Sequence, residues 1–199
     1  MNRGVNTRRR LVPRSFYSRA PDVVAHELLN KVLVGPNGSG RIVEVEAYDG
    51  PRDPASHAFR GLTGRNAVMF GRPGHLYVYF TYGMHWCANA VCRDDGDAAA
   101  VLIRALAPID GLDLMRSARG NVRRDRDLCS GPAKLCQALG IGPTHNGVDV
   151  TRRASSVRIV DDGMMPPRSP VVTTRVGLTV AVDQQWRWYV SADENVSRK

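Results

Sequence analysis

Lysine is scarce in this sequence, and so is any long apolar segment. Only Lys31, Lys134 and Lys199 are lysines, so 25 of the 28 basic residues are arginine. The longest apolar run covers residues 98–103. That is far short of the ~20 residues that cross a bilayer as a helix. The sequence therefore predicts no membrane-spanning helix and no membrane partner.

Cysteine is also sparse. The four cysteines lie at positions 87, 92, 129 and 136, and no two of them have the C-x-x-C spacing. Zinc ribbons and zinc fingers use such paired ligands. We therefore expect reduced, partly buried thiols in a cytosolic protein, and no metal site.

Acidic residues are outnumbered, since 19 of them stand against 28 basic residues and give a net charge of +9. A surplus of this size indicates an anionic partner, with nucleic acid ahead of an acidic membrane. Residues 1–20 hold six arginines and no acid. They are predicted to be a flexible basic arm that helps to hold phosphates. An organelle transit peptide has the same character, so both interpretations stay open.

The remaining chain, residues 21–199, contains no repeat or low-complexity linker and is predicted to be one domain. Strands and helices do not alternate regularly, which favours an α+β fold with a mainly antiparallel sheet. Helices are expected after an Asp22 cap, after an Asp110 cap, and from a Ser130 cap to Gly140. Strands are predicted at residues 31–35, 41–48, 76–80, 84–92, 98–106, 156–160, 171–182 and 188–190.

The predicted strand at 42–48 carries two carboxylates. Strict alternation places Glu44, Glu46 and Tyr48 on one face, and Val43, Val45 and Ala47 on the other. Carboxylates two residues apart on a strand lie roughly 7 Å from each other, so each perturbs the other's pKa. Such a pair beside an aromatic ring suits general-base catalysis or stabilisation of a cation. A solvated strand face with salt bridges to arginine is the competing interpretation.

Residues 76–92 read as a β-hairpin with Tyr82 at its tip, where an aromatic side chain has no core to enter. In a basic protein, such a residue suits a wedge that opens base steps from the minor groove. A tyrosine folded back over its own hairpin is equally consistent. Further along, Ser130 and Lys134 flank a predicted helix start, which suits phosphate binding. The alternative is an ordinary helix N-cap, which would explain Ser130 and the helix start but not Lys134.

Several motifs follow one another in the order and at the spacing of a known family. They are residues 41–48 (RIVEVEAY), 53–57 (DPASH), 65–66, 69–70, 74–84 (GHLYVYFTYGM), 89, 101–106 (VLIRAL) and 127–139 (DLCSGPAKLCQAL). From about residue 16 to 189, the chain resembles the alkyladenine (3-methyladenine) DNA glycosylase family. Residues 93–97 look longer than the family pattern, and residues 142–170 match it poorly.

The resemblance implies an enzyme that flips alkylated or deaminated purines out of duplex DNA and hydrolyses the N-glycosidic bond, which starts base excision repair. The implied fold is a compact domain on a curved antiparallel sheet with flanking helices and a projecting hairpin. No metal or other cofactor is implied. A monomer is expected, located in the cytoplasm or nucleoid with the DNA.

Through the matching motifs, the resemblance assigns the roles of the family's site residues to positions in this sequence. Glu46 takes the place of the general base. Tyr48, His57, Tyr79, Asn89 and Val176 take the base-binding places, with Asn89 screening purines by their exocyclic amino group. Tyr82 takes the intercalating place with Met69 beside it. Arg104 takes a DNA-binding place close to the flipped nucleotide, and Arg65, Ser130 and Lys134 take places that contact the DNA and its phosphates.

The scarcity of lysine bears on the reaction type. A glycosylase that also nicks the strand as a lyase needs an amine nucleophile. Lys31 and Lys199 lie outside the motifs and Lys134 fits phosphate binding, so simple hydrolysis is predicted. Two alternatives remain. One is a non-catalytic binder of distorted or damaged duplex DNA, and the other is a hydrolase of free nucleosides, which the surplus charge and the predicted wedge disfavour.

Overall fold

The computed structural model describes residues 9–81, 83–120 and 122–198. Within them, nine strands form one antiparallel sheet that curls into a half-barrel, and four α-helices flank it. The strands are Arg10–Leu11 (β1), Val32–Gly35 (β2), Gly38–Tyr48 (β3), Leu76–Thr81 (β4), His85–Cys92 (β5), Ala99–Asp110 (β6), Arg158–Asp161 (β7), Val171–Thr173 (β8) and Arg187–Tyr189 (β9). The helices are Arg14–Tyr17 (α1), Pro21–Leu28 (α2), Leu112–Arg119 (α3) and Pro132–Leu139 (α4).

The strand order is β1-β7-β2-β3-β6-β5-β4, with β9 paired to β3 and β8 paired to β9. The predicted α+β fold with one antiparallel sheet is therefore confirmed. The hairpin of β4 and β5 forms one edge of this sheet, and its tip is exposed at Phe80 and Met84. Tyr82, which we predict to be the wedge, lies outside the described residues.

The main core lies between the sheet and helices α2 and α4. Leu28 of α2 and Leu135 of α4 are both fully buried, as are Ile42, Ile103 and Leu106 on the facing strands. Full burial of one such side chain contributes about 1.5–3 kcal/mol to folding. This layer is what holds β3 and β6, the two longest strands, at the centre of the fold.

The helix starts differ from the predicted caps. Helix α2 begins with Pro21 at its first turn, so Ala20 occupies the cap position instead of Asp22. Proline fits there because its missing N–H would have no partner within the helix. Asp110 ends β6, and Gly111 with φ 82° precedes α3. Gly131, not Ser130, precedes α4, whereas Gly140 ends that helix in the left-handed conformation as predicted.

The N-terminal segment also differs from the predicted arm. From Arg10 onward it pairs with β7, and Tyr17 in α1 is fully buried. Arg14 pairs with Asp149 at 2.5 Å, and Arg9 and Arg19 also form ion pairs, so at least three of the six arginines contact the rest of the domain. The apolar residues among the arginines explain this, since Val12 is only 2% exposed. Residues 1–8 lie outside the described part of the chain.

Strands β3 and β6 depart from regular pairing near their middle. Ile42 faces Leu106 and Glu44 faces Ala105, after which Val45 faces Ile103. Val43 and Arg104 are therefore extra residues, one in each strand, which is the pattern of a β-bulge. Strict alternation predicts that Val43 and Val45 share one face, but in the structure Val45 lies in the main core and Val43 does not. The bulge interrupts the two-residue alternation of side chains along β3, so Val43 packs in a small separate cluster with Ala105 and Val196.

The late strands are shorter than predicted. Only Val171–Thr173 of the predicted 171–182 strand is extended in the sheet, and residues 174–182 form bends and turns.

All four cysteines are free and buried. Among the described helices, none has the length and hydropathy needed to cross a membrane.

Candidate active site

A cavity of about 330 Å³ opens on the sheet face opposite to the main core. Its walls come from β3, the β4–β5 hairpin, β6, the loop near residue 57, the start of α4 and residues 176–178. The structure brings eight of the predicted site residues together around it. They are Glu46, Tyr48, His57, Met69, Tyr79, Asn89, Arg104 and Val176.

Glu46 is the carboxylate of this cavity, and it is fully buried. Its Oε1 accepts a hydrogen bond from the Val176 backbone N–H at 2.7 Å and lies 3.0 Å from Nη1 of Arg104. Its Oε2 accepts the Tyr48 hydroxyl at 2.8 Å. A buried carboxylate is costly unless it is paired and hydrogen-bonded. These three donors hold Glu46 as an oriented anion.

Tyr48 both holds Glu46 and forms part of the aromatic lining. Burial and the charge of Glu46 raise the pKa of Tyr48 well above its ordinary value, so its hydroxyl remains a donor. The guanidinium of Arg175 lies 4.7 Å from the centre of the Tyr48 ring, which fixes the ring by a cation–π contact.

Three more aromatic rings gather at the hairpin side of the cavity. The rings of Tyr77 and Tyr79 are stacked with centroids 5.4 Å apart, and His57 meets Tyr79 edge-on at 4.5 Å. Nδ1 of His57 lies 3.1 Å from the Tyr77 hydroxyl. Burial and the nearby charge of Arg65 lower the pKa of His57, which favours the neutral form of its ring. The cavity therefore offers flat, uncharged surfaces to a ligand.

Asn89 and Met69 lie deep in the cavity wall. The Asn89 amide donates to the carbonyl of Tyr77 at 3.1 Å, so its orientation is fixed. Met69 is 3% exposed and packs with Tyr77 in a small buried cluster. It is thus part of the wall and not at the surface, where an intercalating side chain must be. The exposed methionine of the hairpin is Met84, at 68%.

The four residues predicted at the DNA occupy different environments. Arg65 is exposed and ties its loop to the hairpin by donating to the carbonyl of Phe80 at 3.1 Å. Nζ of Lys134 lies 3.4 Å from the Ser130 hydroxyl, beside the start of α4 that borders the cavity. Arg104 is buried between the carboxylates of Glu44 and Glu46 and lines the cavity.

Sequence reasoning missed two groups of buried charges around the cavity. Asp53 and Arg175 form a fully buried pair beneath Tyr48, and Asp53 already stood in a quoted motif. Glu44 forms a second group with Arg104 and Arg187. The alternation of the strand draws attention to the Glu44 carboxylate, but no pattern in the sequence points to Arg187. No group of three metal-ligating side chains occurs in the described residues.

These features together form a cavity with aromatic walls and a buried, paired carboxylate at its base, the arrangement of an enzyme active site. The family model described as methylpurine-DNA glycosylase (MPG) matches residues 15–194. The chain belongs to this family, as the resemblance in the sequence predicted. It is therefore a DNA glycosylase, a hydrolase of N-glycosyl compounds, and its substrate is DNA.

Relatives in several bacteria share this similarity over nearly their whole length. A protein of Burkholderia orbicola (strain MC0-3) is 55% identical over 188 residues, which cover 94% of this chain and 91% of the relative. One of Carboxydothermus hydrogenoformans is 48% identical over 193 residues, covering 95% and 100%. One of Rhodopseudomonas palustris (strain BisB18) is 46% identical over 185 residues, covering 93% and 90%. Each carries the printed name "Putative 3-methyladenine DNA glycosylase".

Proposed function

We propose that this DNA glycosylase flips alkylated or deaminated purine nucleotides out of duplex DNA and hydrolyses their N-glycosidic bond without cutting the strand. The substrate class includes 3-methyladenine, which the names of the relatives specify. The observation that carries the proposal is the buried carboxylate of Glu46 at the base of an aromatic cavity, hydrogen-bonded by Tyr48 and Val176 and paired with Arg104.

Glu46 is suited to act as the general base. Among the described residues, only the Tyr48 hydroxyl donates to its Oε2, which leaves a lone pair for a water molecule. Removal of a proton from that water produces the nucleophile, which attacks the anomeric carbon of the sugar. The same negative charge stabilises the positive charge that develops on the sugar as the bond to the base breaks.

The aromatic walls are suited to alkylated purines. A base alkylated at N3 or N7 is cationic, so its glycosidic bond is already weakened and no strong general acid is needed. Tyr48, His57 and Tyr79 stack on such a base and attract its charge through cation–π contacts. The fixed amide of Asn89 clashes with the exocyclic amino group of guanine and so excludes the normal base.

Outside the cavity, the net charge of +9 supports binding and search along the phosphate backbone. Arg65, Ser130 and Lys134 border the cavity region and are proposed to contact DNA near the flipped nucleotide. Tyr82 is proposed to fill the gap in the duplex. The enzyme acts as a monomer in the compartment that holds the DNA, and it starts base excision repair.

Substitution of Glu46 tests the catalytic assignment. Glu46→Gln keeps the size of the side chain but removes the base, so we expect at least about a 10³-fold loss of 3-methyladenine release under single-turnover conditions. Binding to lesion DNA should change little. Glu27→Gln is the matched control because Glu27 lies on α2, outside the cavity lining. Undiminished release by Glu46→Gln would refute the mechanism, and tight lesion binding without release by the wild type would indicate a non-catalytic binder.

The reaction type needs a separate assay. A monofunctional enzyme leaves an intact abasic strand that breaks only after alkali, whereas a lyase breaks it directly through a Schiff base. We therefore expect no strand breaks before alkali treatment and no covalent complex with borohydride. A trapped complex that disappears in the Lys134→Arg variant would contradict the proposal.

A further inference from the structure

Glu44 lies near Glu46 on the same strand but is not itself one of the residues that line the cavity. It is fully buried, and both of its oxygens are occupied. Oε1 accepts hydrogen bonds from Nε of Arg104 at 2.8 Å and from Nε of Arg187 at 2.7 Å. Oε2 accepts the backbone N–H of Ser197 at 2.7 Å. A carboxylate that accepts three hydrogen bonds has a fixed orientation, and it restrains the arginine side chains that donate to it.

Arg104 connects the two carboxylates. Its Nε donates to Glu44, and its Nη1 lies 3.0 Å from Oε1 of Glu46. The guanidinium is planar and rigid, so a hydrogen bond that fixes its Nε also fixes the direction in which Nη1 points. The charges of Glu46 and Glu44 raise the pKa of Arg104 despite the opposing effect of burial. Arg104 is therefore a permanent cation whose direction depends on Glu44.

The backbone is arranged to make this contact. Val43 and Arg104 are the extra residues of the paired bulge in β3 and β6. A bulge re-aims side chains next to it and is common beside active sites. In this case, Glu44 and Glu46 both reach the same guanidinium from one face of the sheet. Without the bulge, Arg104 would be paired directly with one residue of β3, whereas in the structure it has no such pairing partner.

The end of the described chain supports the same anchor. Besides the Ser197 N–H on Glu44, the Ser197 hydroxyl lies 3.3 Å from Nη2 of Arg104. Arg187 donates to the carbonyl of Arg198 as well as to Glu44. Val196 is 8% exposed and packs against Val43. Residues 196–198 thus pack against the buried charge cluster and supply hydrogen-bond partners to it.

We propose that Glu44, held by Arg187 and by the backbone of Ser197, is a positioning residue that orients Arg104 and thereby the catalytic carboxylate of Glu46. This inference rests on the proposed role of Glu46. Glu44 does not touch the substrate in this scheme. Its contribution is to keep Nη1 of Arg104 on Glu46 while the charge on the sugar develops, and to balance the second positive charge of Arg187.

Glu44→Gln tests this directly, with single-turnover release of 3-methyladenine as the readout. Small displacements of a catalytic group cost up to about 10²-fold in rate. We expect a loss of about 10- to 100-fold in rate with no more than about a two-fold change in affinity for lesion DNA. Asp162→Asn is the matched control, because it breaks an arginine pair outside the cavity lining. It should lower the melting temperature without lowering the rate.

A double-mutant cycle separates positioning from general structural support. If Glu44 acts through Arg104, Glu44→Gln should cost no more than about three-fold in the Arg104→Gln background, because the group that it positions is gone. Losses that multiply, or a Glu44→Gln rate equal to the wild type, would overturn the proposal. Should Glu44→Gln fail to fold, a chain ending at Val196 removes the Ser197 donor and should lose about 10-fold in rate on the same reasoning.

A crystal structure of Glu44→Gln gives a readout that does not need activity. We expect the 3.0 Å separation between Nη1 of Arg104 and Oε1 of Glu46 to open beyond hydrogen-bond distance. An unchanged Arg104 would refute the positioning role, whatever the enzyme does. A wild type that releases no base, together with a displaced Arg104 in the variant, would instead refute the proposed function and leave the positioning role standing.

Discussion

The buried pair of Arg175 and Asp53 offers a quantitative test of how the cavity is held together. Both side chains are fully buried, and the guanidinium donates to both carboxylate oxygens at 2.5 and 2.9 Å. It also donates to the carbonyl of Ala47 in β3 at 3.0 Å. The pair joins the loop that leads to His57 with the segment that carries Val176.

Arg175→Met removes the cation but keeps most of its apolar length. Asp53 would then be a buried charge whose remaining hydrogen bond in this structure comes from the backbone N–H of Ala55. Breaking a buried ion pair in this way costs about 3–5 kcal/mol. For a chain of this size, each kcal/mol lowers the melting temperature by about 2–4 °C. We therefore expect a decrease of about 6–20 °C, measured by circular dichroism with urea unfolding as the check on the free energy.

Two comparison variants make the reasoning refutable. Arg152→Met removes an arginine that is 76% exposed and lies 3.7 Å from Asp149, so it should cost no more than about 1 kcal/mol. Arg175→Met combined with Asp53→Leu removes both charges and should recover a large part of the lost stability. A single-variant cost below about 1 kcal/mol, or a double variant less stable than Arg175→Met, would show that desolvation does not govern this site.

Three further predictions concern the turn after β3, the pH dependence and the substrate range. A Cβ at Gly50 would overlap the carbonyl oxygen of Ala98, whereas one at Gly61 meets nothing within 4 Å, and both residues have positive φ. Gly50→Ala should thus lose about 3 kcal/mol or more and Gly61→Ala only about 1, as measured by urea unfolding. A hydrogen bond from an arginine lowers the pKa of Asp162, so its stabilising effect is complete above the unfolded pKa and is lost as the pH falls through the folded one. The Asp162→Asn variant should therefore show a flatter fall in unfolding free energy than the wild type between pH 5 and 3, and parallel curves would contradict this. Asn89→Ala should remove the proposed clash and increase the release of methylated guanine relative to methylated adenine by about 10-fold, as scored on a panel of lesion oligonucleotides; an unchanged ratio would assign the discrimination to another residue.

Local patterns were sufficient for much of the architecture. Alternation of apolar residues and turn signals placed β2, β3, the β4–β5 hairpin and β6 within a few residues of their observed bounds. Helix α4 was recognised from Pro132 in its first turn and Gly140 beyond its end. These signals are local because strand faces and helix ends depend on neighbouring residues, so they can be read from the chain alone.

Spatial context decided where several predicted residues act. Arg104 and Met69 are both buried in the cavity wall, which the motifs that contain them do not reveal. Their burial depends on strands and loops that are distant along the chain. The N-terminal segment from Arg10 likewise joins the sheet through β7, about 150 residues away in sequence. A basic composition does not reveal such pairing, because it describes charge and not the partner strand.

The sequence by itself determined the class of fold and the family, and the family resemblance pointed to eight of the residues that line the cavity, because periodicity and motif spacing are properties of the chain. Only the tertiary structure decided how the charges are arranged behind Glu46. The paired bulge brings Glu44 and Arg104 together, and residues 187 and 197, more than 140 positions from Glu44, complete the cluster. Buried charges need partners wherever the chain can supply them. Which segment supplies them follows from the packing of the whole domain and not from any local pattern.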